Sequence, residues 1–423
     1  MKRYALILLC LCLSACGTFD IRVQISPRMT DTPFVAGATS TPQPAATLPA
    51  TATQALPVGP GATPEPSATP DLLRPGQPLA LAALQMSDTS HGWALESSGH
   101  IVKTIDGGLS WLDVTPAQGK FGLRGLFALN NDAVWAVPAD PQRSNVVWRT
   151  RDSGSTWQAS QPLSLGSAGQ YSVLGLQFPD ARHGWLLLLS KGGVDGNHIM
   201  LYKSVDGGLQ WDPVPALNEN VAQSYLPDTN TTMVFADGQT GWLGGWWGKD
   251  NPKEWLVLKT GNGGGKWGTE GLALPGQPAI GCDELPVPQT VPGSMAVDVT
   301  CTSSRDPKYL FHHVYYLSTS TPPVEWDSWK ITGQFLSAAF LNPSEGWMLL
   351  SSATQGLNKI QSTDDGGKTW TTVSYVAWKQ AQFDFVTARE GWAVVGDGFA
   401  TALVHTANGG KLWVQMRPVV ADQ

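Results

Sequence analysis

One octapeptide, Ser/Thr-x-Asp/Asn-x-Gly-x-x-Trp, returns six times in this 423-residue chain. A turn that recurs at regular spacing restricts the chain to equivalent units packed side by side, because one such unit cannot bury its apolar face alone. The first copy is Thr104-Ile105-Asp106-Gly107-Gly108-Leu109-Ser110-Trp111. Later copies place Asp152 before Trp157, Asp206 before Trp211, Asn262 before Trp267, Asp365 before Trp370 and Asn408 before Trp413. Successive tryptophans stand 46, 54, 56, 103 and 43 residues apart. The long gap is about two periods, and Thr319-x-Thr321-x-Pro323-x-x-Trp326 inside it keeps the outer positions of the pattern. Seven units therefore fill residues 78–423.

Each unit also carries an upstream mark, a small residue followed by Trp at the start of an apolar run. It stands at Gly92-Trp93, Gly184-Trp185, Gly241-Trp242, Gly346-Trp347 and Gly391-Trp392, with Val134-Trp135 as a variant. Short apolar runs lie before the mark, after it, ahead of the octapeptide and beyond it. Four short strands per unit, with turn signals between them, predict an all-β fold, a seven-bladed β-propeller with four-stranded blades. Only 14 % of the residues are charged, against about 25 % in an ordinary soluble domain, and the chain holds 46 Gly and 31 Pro. Both facts argue against a helical bundle.

The octapeptide resembles the Asp-box (BNR) repeat, over almost the whole folded part. The resemblance implies turns between third and fourth strands on the outer rim, where a short carboxylate or amide accepts backbone N–H groups. Asp106, Asp152, Asp206, Asn262, Asp365 and Asn408 are then structural. Among Asp-box proteins, the single seven-unit chain is most similar to the photosystem II assembly/stability factor family. That likeness implies a non-enzymatic scaffold that docks an exported or membrane protein. Sialidase-like and xyloglucan-cleaving propellers are the enzymatic counterparts. The Arg-Ile-Pro element expected of a sialidase is missing near the first unit, and the xyloglucan-type cleft lies between two propellers where this chain has one. No catalytic residue is assigned, yet carboxylate pairs at the roughly 5–9.5 Å that glycosidases need leave a glycan-binding or glycoside-hydrolysing reading open.

The N-terminus reads as export machinery. Lys2 and Arg3 precede ten apolar residues, Tyr4 to Leu13, and Leu13-Ser14-Ala15-Cys16 follows. Ten residues fall short of the roughly 20 that span a bilayer. The segment resembles a bacterial lipoprotein signal, residues 1–15, which leaves Cys16 as the lipid-modified end and the protein on the extracytoplasmic face of a membrane, the outer membrane being compatible with Gly17. Residues 16–77 form a linker. From Gly37 to Pro70 it holds eight Pro, eight Ala and seven Thr, with Glu65 the sole charge and no aromatic residue, a composition that cannot bury enough surface to fold.

Two cysteines remain in the folded part, Cys282 and Cys301. Their midpoint falls in the turn-rich stretch 288–294, so a hairpin there sets them side by side. A disulfide suits an exported chain; a free redox pair is the alternative, and two cysteines without a spaced histidine do not make a metal site. No metal or cofactor is expected. His91 and His183 each precede a Gly-Trp mark and read as polar turn residues, and His312-His313 lies within an apolar run. The fourth unit carries the richest surface candidate, Gly244 to Trp255, in which Trp246, Trp247 and Trp255 alternate with charged residues and breakers. Such stretches suit a protein or glycan partner. Net charge is −7, and without a basic run no nucleic-acid footprint is present. The chain is expected to be a monomer. A Cys16→Ser variant is expected to leave the membrane fraction, read by fractionation and immunoblotting; retention in membranes would remove the lipid anchor from this reading.

Overall fold

The computed structural model describes residues 72–422 apart from 117–118, 142–143, 166–169, 194–195, 216–230, 248–253, 271–279, 285–288, 292–293, 304–309, 318–323, 332–334, 343, 353–355, 367–368 and 399. The expected signal segment and most of the linker, Cys16 included, lie outside the described residues.

Every named element is a β-strand, and the strands form seven antiparallel sheets in chain order. Their first strands are Leu81–Met86, Phe121–Ala128, Gln170–Gln177, Thr232–Phe235, Ile280–Glu284, Phe335–Phe340 and Gln380–Phe385. In six sheets strands one to four form a simple meander, neighbouring one another in sequence order, and the fifth sheet follows the same path with the short strand Gln289–Val291 added beside Ser294–Ser303. Each sheet touches the next, and the seventh touches the first through Gln380–Phe385 and Leu81–Met86. The sheets thus form a ring.

The Gly-Trp mark has a packing cause. The tryptophan opens the second strand of its sheet and reaches the phenylalanine that ends the first strand of the next sheet. Trp135 stacks on Phe178 at 3.7 Å, Trp185 on Phe235 at 3.9 Å and Trp347 on Phe385 at 3.5 Å, all within 11° of parallel. The octapeptide tryptophan of that next sheet meets the same phenylalanine edge-on, as Trp211 does Phe178, Trp267 does Phe235 and Trp413 does Phe385. The indole N–H also crosses the seam: Trp135 donates to Gly207 O, Trp347 to Gly409 O and Trp392 to Gly107 O, at 2.9–3.1 Å.

Glycine precedes the tryptophan because the phenylalanine of its own sheet lies across it. A Cβ at Gly184, Gly241, Gly346 or Gly391 would sit 2.4–2.5 Å from the ring of Phe178, Phe235, Phe340 or Phe385. The second sheet inverts the sizes. There the first strand ends in Ala128, and its cross-strand partner is Val134, so the variant mark is the same contact with the bulk moved to the other strand.

Two turns lock each unit. In the octapeptide turns the first hydroxyl accepts the N–H four residues on, as Thr104 does from Gly108 at 2.9 Å, and the carboxylate or amide accepts the N–H groups that follow. The other turn joins strands one and two. Asp88, Asn130, Asp180, Asp237, Asn342 and Thr387 each accept the N–H groups of the second and third residues after them. The octapeptide then donates a backbone N–H to this turn's carbonyl in six sheets, Gly107 to Ser90, Ser153 to Asp132, Gly207 to Arg182, Gly263 to Gln239, Gly366 to Ser344 and Gly409 to Arg389.

The chain ends close the ring. Val419–Val420 adds to the outer strand of the first sheet, Ser110–Asp113, in parallel, and Pro78 bridges to Val419. Gly184→Ala is expected to cost about 1–3 kcal/mol through overpacking, read by denaturant unfolding. The same change in a Phe178→Ala background should cost much less, and equal costs in the two backgrounds would contradict the ring-on-glycine contact.

Candidate functional site

Because the octapeptide bonds to the turn between strands one and two, those two turn types share one face of the ring. The meander then puts the hairpins between strands two and three, and the links between sheets, on the opposite face. Their lengths are unequal. In the first sheet the hairpin strands are Gly92–Glu96 and Ile101–Thr104. In the third they lengthen to Gly184–Gly193 and Gly196–Ser204, and in the fourth to Gly241–Trp247 and Glu254–Thr260. In the fifth they are Ser294–Ser303 and Leu310–Leu317, so three consecutive sheets raise their hairpins above the ring.

Trp246, Trp247 and Trp255 belong to the raised hairpin of the fourth sheet. They stand within its strands rather than in an open loop: Trp246 is directly opposite Trp255, and Trp247 is opposite Glu254. Aromatic residues favour the half-buried pleated surface of a strand, which extends the ladder to the last described pair. Cys282 and Cys301 stand on the paired first and second strands of the fifth sheet, between the register positions Gly281 with Thr302 and Glu284 with Thr300. The turn nearest their midpoint is tighter than a simple hairpin between them, since Gln289–Val291 makes its own pairing with Ser294–Ala296.

On the face of the turns, the polar groups are engaged. The rings of His91 and His183 bond through Nδ1 to Asp88 at 3.0 Å and Asp180 at 2.7 Å. Burial opposes the Asp88 charge, but the N–H groups of Ser90 and His91, the His91 ring and the Asn131 amide outweigh it and bring the carboxyl down to about 2. The Asp152 carboxyl is lowered by the hydroxyl and N–H of Thr156. Arg149 donates to the carbonyls of Asp206 and Gly207, across the seam between the second and third sheets. Burial and the neighbouring Arg151 charge lower its pKa, and Asp206 partly offsets them. Lys103 makes the corresponding stitch to Ser153 O at 2.6 Å and Lys203 to Gly238 O at 3.2 Å.

Two polar features escaped the sequence reading. His100 and Asp113 are both buried, joined Nδ1 to Oδ2 at 2.9 Å, and the same carboxylate oxygen accepts the N–H of Leu73 at 2.9 Å. This pair fastens the start of the folded chain to the first sheet. The other is Asp384, 5 % exposed, which accepts the N–H of Met86 across the closing seam; burial pushes its pKa up to about 7 against that single hydrogen bond. Neither feature has a periodic signature in the sequence. Among the described residues no group of three His, Cys, Asp or Glu could hold a metal, and no helix is long and apolar enough to cross a membrane.

No protein-family model matches the chain, and no curated protein matches it. Solved structures do. YCF48 bound to D1 peptide is 15 % identical with a TM-score of 0.47, covering 79 % of this chain and 95 % of its own. The GH74 xyloglucanase of Xanthomonas campestris is 13 % identical with a TM-score of 0.48, over 82 % of this chain and 54 % of its own. A puromycin-hydrolyzing peptidase of Mycobacterium tuberculosis is 13 % identical with a TM-score of 0.50, over 82 % of this chain and 56 % of its own. The chain thus spans about half the length of the last two. At such identities the likeness concerns the fold alone, and the ring of meander sheets is a β-propeller.

The lowered Asp88 carboxyl has a signed consequence. Its contribution to stability is present above its ordinary value of 3.8 and is lost as pH falls through about 2. Asp88→Asn, which keeps an acceptor for the same N–H groups, is expected to flatten part of the acid limb of tryptophan-monitored unfolding. An unchanged acid limb would show that this carboxylate contributes nothing to it.

Proposed function

We propose that this chain is an extracytoplasmic seven-bladed β-propeller lipoprotein, anchored through Cys16, that acts as a protein-binding or assembly scaffold. The observation that carries this reading is the set of raised hairpins of the third to fifth sheets on the face opposite the interlocked turns, with Trp246 directly opposite Trp255 on the middle one. The turn side chains are occupied in holding units together, and the six octapeptide Asp and Asn residues are assigned a structural role. What departs from the repeat is free to differ for a partner's sake, and aromatic residues on a rigid hairpin suit a contact centre.

The likeness to photosystem II assembly factors supports docking of an exported or membrane protein rather than turnover of a substrate. Cys282 and Cys301, on paired strands, are assigned as a disulfide, which suits that compartment. Tryptophan also stacks on sugars, so the same hairpin serves the alternative reading, a glycan-binding or glycoside-hydrolysing propeller.

Crosslinking and affinity capture from cells that express the full chain, with a Trp246→Ala/Trp247→Ala variant in parallel, separates these readings. A specific protein recovered with the wild type and reduced at least about tenfold with the variant, equivalent to about 1.4 kcal/mol, supports the scaffold. Equal recovery from a folded variant dismisses the hairpin. Retention on glycan arrays, or release of reducing sugar, replaces the scaffold reading with the glycan one.

A further inference from the structure

At the seam between the seventh sheet and the first, the chain crosses to the outer edge of the next sheet, Val419–Val420 on Ser110–Asp113, rather than to its first strand. At two other seams, those after the first and third sheets, a glutamine near the end of the first strand clamps the next sheet. Gln85 donates Nε2–H to Ala128 O at 2.8 Å and accepts the Ala128 N–H at 3.3 Å. Gln177 makes the same pair with Phe235, at 3.0 and 2.7 Å. Both stand directly opposite a mark tryptophan, Trp93 and Trp185. The residue at this position in the seventh sheet, opposite Trp392, is Asp384, which accepts the N–H of Met86, the position equivalent to Ala128 and Phe235.

We propose that Asp384 is a proton-dependent latch of the closing seam: protonated, it can offer both the acceptor and the donor of the glutamine clamp, and ionised, it keeps only the acceptor and confronts the Met86 carbonyl with a buried charge. The surroundings leave that charge uncompensated. The strands packed against Gln380–Phe385 are Gly391–Gly396, Phe335–Phe340, Leu81–Met86 and Gly346–Leu350, and these five strands contain no titratable side chain besides Asp384. The other side-chain hydrogen bonds across the inner seam are long. Gln382 donates to Leu84 O at a long 3.4 Å while its Oε1 is buried without a partner, and Thr401 reaches Leu81 O at 3.5 Å.

The sign follows from a raised carboxyl. The closed seam binds a proton that an opened seam gives up, so closure is strongest below the ordinary value of 3.8 and weakens as pH rises to about 7. Above that the effect is complete. The pKa supports the geometry here, in which one carboxyl occupies a site built for a two-way amide.

Native-state hydrogen exchange at the Met86 amide, corrected for intrinsic rates, tests the latch in the full chain. Its opening constant is expected to rise about tenfold per pH unit between about 4 and 7, the slope of one proton, while the Ala128 and Phe235 amides, held by glutamine, stay flat. Asp384→Asn should abolish the slope at Met86. If Met86 is as flat as Ala128 in the wild type, or if Asp384→Asn keeps the slope, the latch is refuted. The wild-type comparison holds even where the variant fails to fold. Because partner capture plays no part in the measurement, its outcome is separate from that of the scaffold reading.

Discussion

At three seams between neighbouring sheets, a tryptophan ring from one lies flat on a phenylalanine ring of the other, 3.5–3.9 Å away. Much of the fold is arranged around that contact. Glycine at the start of the second strand leaves room for the phenylalanine, the octapeptide tryptophan closes its edge, and for Trp135 and Trp347 the indole N–H finds the next unit's carbonyl. Aromatic pairs add about 0.5–1.5 kcal/mol beyond the area they bury. Repeated from seam to seam, such contacts let thin sheets share cores that none could build alone. The low charge of the chain suits this design, since hydrogen-bonded turns and aromatic seams carry much of the registration of one unit on another.

The parts of the fold legible in sequence are those in which one contact recurs with the same residue types. The octapeptide and the Gly-Trp mark are of this kind, and Val134-Trp135 was readable as a variant because the tryptophan survives. The turn between strands one and two was equally periodic but went unread. Its side chain varies among Asp, Asn and Thr, and only the acceptor oxygen four residues before the mark is constant. Asp384 and the His100–Asp113 pair could not be found in this way. Each joins residues far apart in the chain, and its meaning appears only beside the glutamines or the backbone N–H that the fold brings to it.

The candidate face shows the complementary rule. Trp246, Trp247 and Trp255 drew notice as a departure from the repeat, and the structure gives that departure a shape, a paired hairpin on the middle one of three consecutive sheets that rise above the ring. Composition gave the residues, but the pairing of Trp246 with Trp255 needed the register. What the hairpin meets depends on chemistry beyond the repeat, which is why the fold is far more legible than the partner.

The strand Val419–Val420 on the outer edge of the first sheet also orders events in time. The first unit is made first, yet its outer edge stays open until the last residues of the chain arrive. Contacts of such sequence separation cost loop-closure entropy before they return any stability, and they slow folding. A ring fastened by a strand made after all seven sheets therefore stays unlatched until that strand is in place.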